Sequence, residues 1–499
     1  MQRSTDTVFA PLWKGFSYKE HQEVAIEWML ERENNDLSGG LLCDEMGLGK
    51  TMEILGTINN SNKENTLLLC PKAVIPQWVE AASKSKMNVV TVGKAVWQQE
   101  GGFYKDRPFL YISNYEKLIH RTSLFHESTW DRVVLDEAHK VSNKDGKLYK
   151  CIKKLDRETT WAVTATPIVN GIDDMKGLFY LIGYKAKDIS GYSPFLEAVT
   201  EACLHRSMEE MRKILPELPP KELEFKPIRL DFESEEEGDF YRDAQSTIKK
   251  RLKKLNDPTS MLQILMRLRQ LSVHPQVFIS ARKKEPWGFD HPDWTGSSSK
   301  FSHLRKMIEK NPSPGKWIIF CQFHEEMKLM EEYLSESESI GRVQQYHGGL
   351  SDNVKKEVIE ATRESVEGND ILLLQLHSGG VGLNLQHFTK IVFMSPWWTS
   401  ALMAQAVGRA VRIGQKERVE VYRLILKEEE TLNIDEKMME KAMMKKDLLI
   451  RVFKFASKGL GYNEPEEIED NDEHSDVAEM AKEVDAQDVV VDVEEEPTN

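Results

Sequence analysis

The sequence predicts an α/β fold: two doubly wound parallel-sheet lobes, a mainly helical insertion between them and a disordered acidic tail. Short apolar runs alternate with polar or helical stretches in two separate series along the 499 residues, and acidic residues concentrate at the C-terminal end. Such alternation is typical of parallel sheets with helices on both faces. The predicted boundaries are 1–174 for the first lobe, 175–300 for the insertion, 301–455 for the second lobe and 456–499 for the tail.

The first lobe begins with an amphipathic helix, because apolar residues between Gln22 and Met29 recur at helical spacing. Buried strands are then predicted at Leu41–Cys43, Thr66–Cys70, Phe109–Ile112, Arg132–Leu135 and Trp161–Val163. The second lobe repeats the pattern, with strands predicted at Trp317–Phe320, Val343–Tyr346, Ile371–Gln375, Ile391–Met394 and Val419–Leu424. Two such sheets imply two lobes with a cleft between them.

Charge is distributed unevenly. The net formal charge is −14, but the segment from Glu464 to Asn499 contains 16 acidic residues and one lysine. The preceding 463 residues therefore sum to +1. A segment this acidic and free of aromatic residues is predicted to be disordered, whereas the nearly neutral body permits local basic grooves.

Composition excludes several classes of protein. No apolar run approaches the length of roughly 18 residues that a membrane span needs, and no signal segment opens the chain. The five cysteines are scattered without Cys-x-x-Cys spacing, which argues against structural zinc and disulfide frameworks. A reducing cytosol or nucleus is the expected compartment.

A glycine-rich turn extends from Asp44 to Thr51, between a predicted strand and a predicted helix. Glycines there let backbone N–H groups approach phosphates, Lys50 supplies a positive charge, and the Thr51 hydroxyl can bind Mg²⁺. The general form of this motif begins with glycine, whereas this chain has Asp44. The turn predicts binding of ATP.

Two carboxylates follow the apolar run Val133–Leu135. Asp136 is predicted to hold the same Mg²⁺, and Glu137 to orient the attacking water. Far downstream, Arg412, with Arg409 beside it, can supply positive charge to the transferring phosphoryl group from the second lobe. ATP hydrolysis would then be coupled to lobe motion.

With these segments in order, the chain resembles superfamily-two helicase-like ATPases, and among them the Swi/Snf-type chromatin-remodelling and repair translocases, over roughly residues 15–445. The loop with its leading Asp44 resembles that family's own phosphate loop. Further similar segments are Cys70–Lys72, Gln77-Trp78, Ser113–Glu116, Thr164–Pro167, Phe320–Phe323, His347–Gly349, Gly379–Leu385 and Gln405–Gln415. The resemblance implies two RecA-like lobes.

The resemblance also assigns roles. It implies that ATP is bound by Gln22, which reads adenine, by Asp44, Glu45, Met46, Gly47, Leu48, Gly49, Lys50 and Thr51, and by Gly382. It implies that catalysis uses Lys50, Glu137, Gln405, Arg409 and Arg412. The implied nucleic-acid contacts are Lys72, Ser113 and Asn114 in the first lobe and Gln322, His347 and Ser378 in the second.

The segments Leu215–Pro220, Leu268–Gln270 and His274-Pro275 are most similar to the family's post-replication-repair branch. The chain departs from the family pattern at two points. Val411 replaces a residue that is often His in the family, and the cysteine count excludes the RING insertion that this branch often carries.

The leading hypothesis is an ATP- and Mg²⁺-dependent translocase on double-stranded DNA, on nucleosomes or beside other DNA-bound protein, without membrane contact. It would act in chromatin remodelling, repair or transcription in the nucleus, or in the cytoplasm for a viral or bacterial chain. The alternatives are a strand-separating DNA or RNA helicase and an ATPase-inactive scaffold that uses its acidic tail.

Overall fold

The computed structural model describes residues 8–35, 39–93, 96–215, 226–252, 258–285, 289–311, 313–376, 383–411, 415–428 and 433–459. These residues form two compact units. The first unit contains the described residues up to 215 and the end of the last described helix, from Lys445. The second contains the described residues from 226 to 444.

The first unit is built on a sheet whose strands, in the described part of the chain, follow the order β4-β3-β5-β2-β6-β7-β1-β8. All neighbouring pairs are parallel except β3 and β4. The strands are β1 (Gly39–Leu42), β2 (Asn65–Cys70), β3 (Asn88–Val92), β4 (Trp97–Glu100), β5 (Phe109–Asn114), β6 (Thr129–Asp136), β7 (Asp156–Val163) and β8 (Cys203–Leu204).

Helices cover this sheet, so its central strands are continuous apolar runs with both faces buried, as in Leu67–Leu69 of β2. The helices are α1 (Glu20–Asn34), α2 (Lys50–Asn59), α3 (Ile75–Lys84), α4 (Tyr115–His120), α5 (Thr122–His126), α6 (Lys147–Lys153), α7 (Ile172–Leu181), α8 (Tyr192–Ala202) and α9 (Met208–Arg212). Short 3-10 turns occupy Lys72–Val74, Ala138–Val141 and Ala186–Ile189.

The second unit contains a parallel sheet in the order β11-β12-β10-β13-β14-β9. Its strands are β9 (Lys226–Leu230), β10 (Lys316–Cys321), β11 (Ile340–Tyr346), β12 (Asn369–Gln375), β13 (Lys390–Phe393) and β14 (Glu420–Leu426). Its helices are α10 (Glu235–Leu252), α11 (Pro258–Val273), α12 (Pro275–Lys283), α13 (Ser299–Glu309), α14 (His324–Ser335), α15 (Asp352–Ala361) and α16 (Ser400–Val407), followed by α17 (Ile434–Gly459), whose residues from Lys445 belong to the first unit.

The predicted fold class, two parallel-sheet lobes of α/β type, is confirmed. The chain divides elsewhere than at the predicted positions 175 and 300, however. Strand β8 pairs with β1 in the first sheet, and β9 pairs with β14 in the second. Residues 175–215 therefore belong to the first unit, because they include β8, which pairs at the edge of the first sheet. Residues from 226 belong to the second unit, because they begin with β9, which pairs at the edge of the second sheet. From residue 460 onward, the predicted acidic tail lies outside the described residues.

The cysteine side chains are free thiols. Cys43, Cys70, Cys203 and Cys321 are buried, whereas Cys151 on α6 is only half-buried. Among the described residues, no helix is long and apolar enough to span a membrane.

Candidate functional site

The glycine-rich turn joins a fully buried strand, β1, to helix α2, as the sequence predicts. Gly47 and Gly49 have φ angles of 92° and 93°, in the left-handed region that favours glycine. A Cβ atom at Gly49 would also lie 2.4 Å from the Gln22 side-chain nitrogen. The glycines thus leave the loop backbone open at the N-terminus of α2, where N–H groups and the helix dipole favour anions.

Lys50 and Gln22 are both held by carbonyl groups of this loop. The Lys50 ammonium donates to the carbonyl oxygens of Asp44 and Glu45, at 2.5 and 3.2 Å. The Gln22 amide donates to the Leu48 carbonyl at 3.3 Å, and the neighbouring His21 ring contacts the same oxygen through Nε2 at 2.7 Å. The structure therefore brings together Lys50, the predicted adenine-reading residue and the loop.

Asp44 contributes to the loop in a way that the sequence did not indicate. Its carboxylate is fully buried and is paired with the guanidinium of Arg206, which also binds Glu53 on α2. The carboxylate of Asp44 is thus bound by protein groups. Toward the inside of the loop, Asp44 presents its backbone carbonyl oxygen, which accepts from Lys50.

Asp136, the predicted Mg²⁺ ligand, and Glu137, the predicted water-orienting residue, lie at the C-terminal end of β6, in the same unit as the loop. The Asp136 carboxylate accepts a hydrogen bond from the Trp78 indole at 2.9 Å, and its carbonyl accepts one from the Tyr115 hydroxyl at 2.6 Å. Burial and the adjacent Glu137 carboxylate raise the pKa of Asp136 to about 7, while Trp78 and the Lys50 ammonium oppose that shift. Leu42, just before the loop, and Asp136 both pair with Val163 of β7, so the loop and the end of β6 lie at the same edge of the sheet.

Glu137 adopts a left-handed backbone conformation, with φ 53° and ψ 50°. Such a conformation in a residue other than glycine costs energy and is concentrated at functional sites. The Glu137 carboxylate lies 3.5 Å from His139 Nδ1, which also contacts the hydroxyls of Thr164 and Thr166, at 3.1 and 3.3 Å. His139 therefore connects the Glu137 carboxylate, just after β6, to the threonines after β7.

The donor set of this site suits a magnesium ion that arrives with a nucleotide. No group of three or more His, Cys, Asp or Glu side chains in the described part of the chain could hold a metal ion by itself. Mg²⁺ is commonly bound through one or two carboxylates and the phosphates of the substrate. The Thr51 hydroxyl and the Asp136 carboxylate provide such a partial set.

The predicted residues of the second unit are only partly described. Gln405 lies on α16, and Arg409 follows that helix with 5% of its surface exposed. The Arg409 carbonyl accepts a hydrogen bond at 3.1 Å from the amide of Leu385, the last residue of the family-like segment Gly379–Leu385. Arg412, Gly382 and Ser378 lie outside the described residues, so the role of the arginines stays a prediction.

The nucleic-acid candidates occupy different environments. In the first unit Lys72 is exposed, whereas Ser113 is buried, and Asn114 is also buried and caps α4 by accepting from the Lys117 amide at 3.1 Å.

In the second unit Gln322 accepts a hydrogen bond from Arg269, whose guanidinium lies 4.2 Å above the Trp397 ring. His347 lies against His324, with 4.6 Å between the ring centroids. Trp397 itself is buried. Sequence reasoning assigned no role to Trp78, Tyr115 or Arg206, which contact the site residues.

Comparison with known families matches two consecutive segments of the chain. A model of the SNF2-related domain matches residues 21–277, which is more than half of the chain, and a model of the helicase conserved C-terminal domain matches residues 299–414. The chain belongs to the SNF2-related family. The predicted family and the predicted enzyme class, a helicase-like ATPase, are thereby confirmed at the level of the family. Neither match distinguishes the post-replication-repair branch, which stays a prediction.

Several curated proteins are similar to this SNF2-related chain. A probable global transactivator of Orgyia pseudotsugata multicapsid polyhedrosis virus is 26% identical over 85% of the chain and 89% of its own length. Human SWI/SNF-related matrix-associated actin-dependent regulator of chromatin subfamily A member 1 is 26% identical over 87% of the chain, and an uncharacterized ATP-dependent helicase of Mycoplasma pneumoniae is 26% identical over 82%. The chain spans 43% and 40% of the length of the last two.

Among solved structures, the Sulfolobus solfataricus SWI2/SNF2 ATPase core in complex with double-stranded DNA is 20% identical, with a TM-score of 0.40. The comparison covers 91% of this chain and 97% of that one.

Proposed function

We propose that this SNF2-related chain is an ATP- and Mg²⁺-dependent translocase on double-stranded DNA. The observation that carries the proposal is the joint site formed by Lys50 on the phosphate loop and by Asp136 and Glu137 at the end of β6. A positive charge, a metal-binding carboxylate and a water-orienting carboxylate are the groups that phosphoryl transfer to water requires.

Each residue has a defined task in this proposal. The loop N–H groups bind phosphate oxygens, and the Lys50 ammonium exchanges the carbonyls of Asp44 and Glu45 for those oxygens. Thr51 and Asp136 would hold Mg²⁺, and the ion would offset negative charge on the phosphates. Glu137 orients the attacking water.

The second unit would complete the reaction. Arg412 and Arg409 would supply positive charge to the transferring group, with Gln405 on the preceding helix and Gly382 beside the nucleotide. This requirement couples hydrolysis to the arrangement of the two units.

DNA would be bound along its phosphates, because hydroxyls, amides and lysines at strand ends are groups that bind phosphate oxygens. Such contacts do not distinguish one base sequence from another. The exposed Lys72 is the most accessible described candidate in the first unit. Ser113 and Asn114 would contribute main-chain groups, since their side chains are buried. Gln322, His347 and Ser378 are the candidates in the second unit. Duplex specificity, nucleosomes as substrate and action in the nucleus are proposed by analogy with the remodelling relatives.

The test is the ATPase rate of the full chain with duplex DNA, single-stranded DNA, RNA and nucleosomes in parallel, with Glu137→Gln as the inactive control. Duplex DNA should stimulate hydrolysis, and the chain should displace the third strand of a triplex without unwinding a duplex. Unwinding of DNA or RNA would identify a strand-separating helicase. Absence of turnover with every nucleic acid would leave a scaffold.

A further inference from the structure

We propose that Arg206 is a positioning residue of the phosphate loop, which keeps the loop open for nucleotide from a site 162 residues away in the sequence. This inference rests on the proposed binding of ATP at that loop. Arg206 follows β8 at the edge of the first sheet and belongs to none of the loop or carboxylate motifs.

All the polar groups of the Arg206 side chain act on segments around the loop. Nε lies 3.0 Å from both carboxylate oxygens of Asp44, and one terminal nitrogen donates to the same carboxylate and, at 2.8 Å, to Glu53 on α2. The other terminal nitrogen donates to the carbonyl of His21 on α1. A planar guanidinium can make these bonds together because its donors form a rigid fork.

The main chain around Arg206 supports the same segment. The Glu45 amide donates to the Arg206 carbonyl at 3.0 Å, and the Cys43 amide donates to the Leu204 carbonyl at 2.7 Å. The Met208 amide donates to the Glu45 carboxylate at 2.7 Å. The end of β8 and the residues after it thus fix the beginning of the loop, and the later N–H groups of the loop are left for phosphate.

The end of the loop is fixed through α1. Arg206 holds the His21 carbonyl, and the side chains of His21 and Gln22 both contact the Leu48 carbonyl. One guanidinium therefore acts on the first residue of the loop directly and on its last turn through two residues of α1.

Charge explains why a cation is needed at this position. The side chains of Asp44 and Glu53 are fully buried. The Arg206 guanidinium binds both carboxylates and is the cation that the structure places between them. Without the guanidinium, the Asp44 carboxylate would be uncompensated at the point where the loop leaves β1, and the loop would have to rearrange.

The first unit contains a matched control. Arg132 is fully buried and binds Glu33 through two nitrogens, at 2.7 and 2.6 Å, but it has no contact with the loop. Arg206→Gln and Arg132→Gln both break a buried, two-pronged arginine–carboxylate pair in the same unit. A difference between them in nucleotide binding therefore reports on the loop.

The experiment uses the full chain and compares wild type, Arg206→Gln, Arg206→Lys and Arg132→Gln. Equilibrium binding of Mg·ATP, KM and kcat for ATP, and thermal unfolding are measured. We expect Arg206→Gln to raise the Kd and KM for ATP about tenfold or more, the scale of one lost hydrogen bond to a charged group, with a smaller change in kcat. Arg206→Lys should fall between wild type and Arg206→Gln. Arg132→Gln should lower Tm while leaving the Kd for ATP unchanged.

A double variant tests the role of Arg206 if Arg206→Gln alone folds poorly. Adding Asp44→Asn removes the uncompensated charge, so the double variant should bind ATP more tightly than Arg206→Gln alone. The inference is overturned if the folded Arg206 variants bind ATP like wild type while their Tm falls as in Arg132→Gln. Failure of the wild-type chain to bind ATP would instead refute the proposed function.

Discussion

Replacing Glu33 by glutamine should destabilise the first unit strongly, because it leaves the fully buried Arg132 guanidinium without its counter-charge. Glu33 accepts two hydrogen bonds from Arg132 and a third from the Trp161 indole at 2.8 Å. Arg132 also donates to the Thr66 hydroxyl at 2.9 Å. Breaking a buried ion pair by removing one partner costs about 3–5 kcal/mol.

That loss corresponds to a fall in Tm of roughly 6–20 °C, since 1 kcal/mol shifts the Tm of a unit of this size by about 2–4 °C. Differential scanning calorimetry of Glu33→Gln measures it directly. The matched control is Glu80→Gln, which makes the same chemical change in an exposed pair with Lys84. We expect no resolvable shift for that variant.

A double variant separates the buried charge from the packing. Arg132→Met combined with Glu33→Gln removes both charges, and the glutamine oxygen can still accept from Trp161. The double variant should therefore be more stable than Glu33→Gln alone. An effect of the unpaired buried charge is refuted if Glu33→Gln unfolds at the same temperature as Glu80→Gln. It is also refuted if the stability lost by the double variant equals the sum of the losses of Glu33→Gln and Arg132→Met measured singly.

Four further outcomes are expected. Lys50→Ala should abolish ATP turnover, because it removes the positive charge beside the phosphates. Glu137→Gln should lower turnover about 10²–10⁴-fold with ATP still bound, because it removes the water-orienting carboxylate. Substantial DNA-stimulated hydrolysis by either variant would contradict its assignment. Arg412→Ala should lower turnover about 10³-fold at near-normal nucleotide affinity, and weaker binding at unchanged turnover would argue against closure of the two units. Burial lowers the pKa of His274 to about 4. The unfolded chain therefore binds the proton first as pH falls, and stability is lost from about pH 6.5 down to about pH 4. His274→Asn should reduce the fall in the free energy of unfolding between pH 7 and pH 5, measured by denaturation curves, and an equal fall in wild type and variant would refute this expectation. Deleting the acidic segment from Glu464 should tighten DNA binding at low salt, by removing a competitor for basic side chains, and change little near roughly 0.5 M salt; equal affinities at low salt would indicate an appendage without contact.

Local patterns in the sequence predicted the elements that local physics determines. The buried run Leu67–Leu69 identifies a central parallel strand, and the glycines before Lys50 identify a turn at a helix start. Both depend on residues close together in the chain. The carboxylates after Val133–Leu135 were placed correctly at a strand end for the same reason.

Three of the four edge strands that the structure describes, and several distant partners, were not predicted. Strand β4 carries exposed glutamines, β8 has two residues, and β9 contains Pro227 and an exposed Lys226, so none shows the pattern of a buried strand. The Trp78 indole that binds Asp136 comes from 58 residues away. Neither this contact nor that of Arg206 with Asp44 has any signal in residue spacing, because only the folded sheet brings the partners together.

The unequal burial of the five cysteines has a practical consequence for experiments. Thiol reagents attack an accessible thiolate, and burial raises the pKa of the thiols of Cys70, Cys203 and Cys321. Cys43 is buried as well, which leaves the half-buried Cys151 on α6 as the position that a maleimide dye should reach in the native chain. The natural sequence thus provides a defined attachment point for a fluorophore on the first unit, without prior removal of the other cysteines.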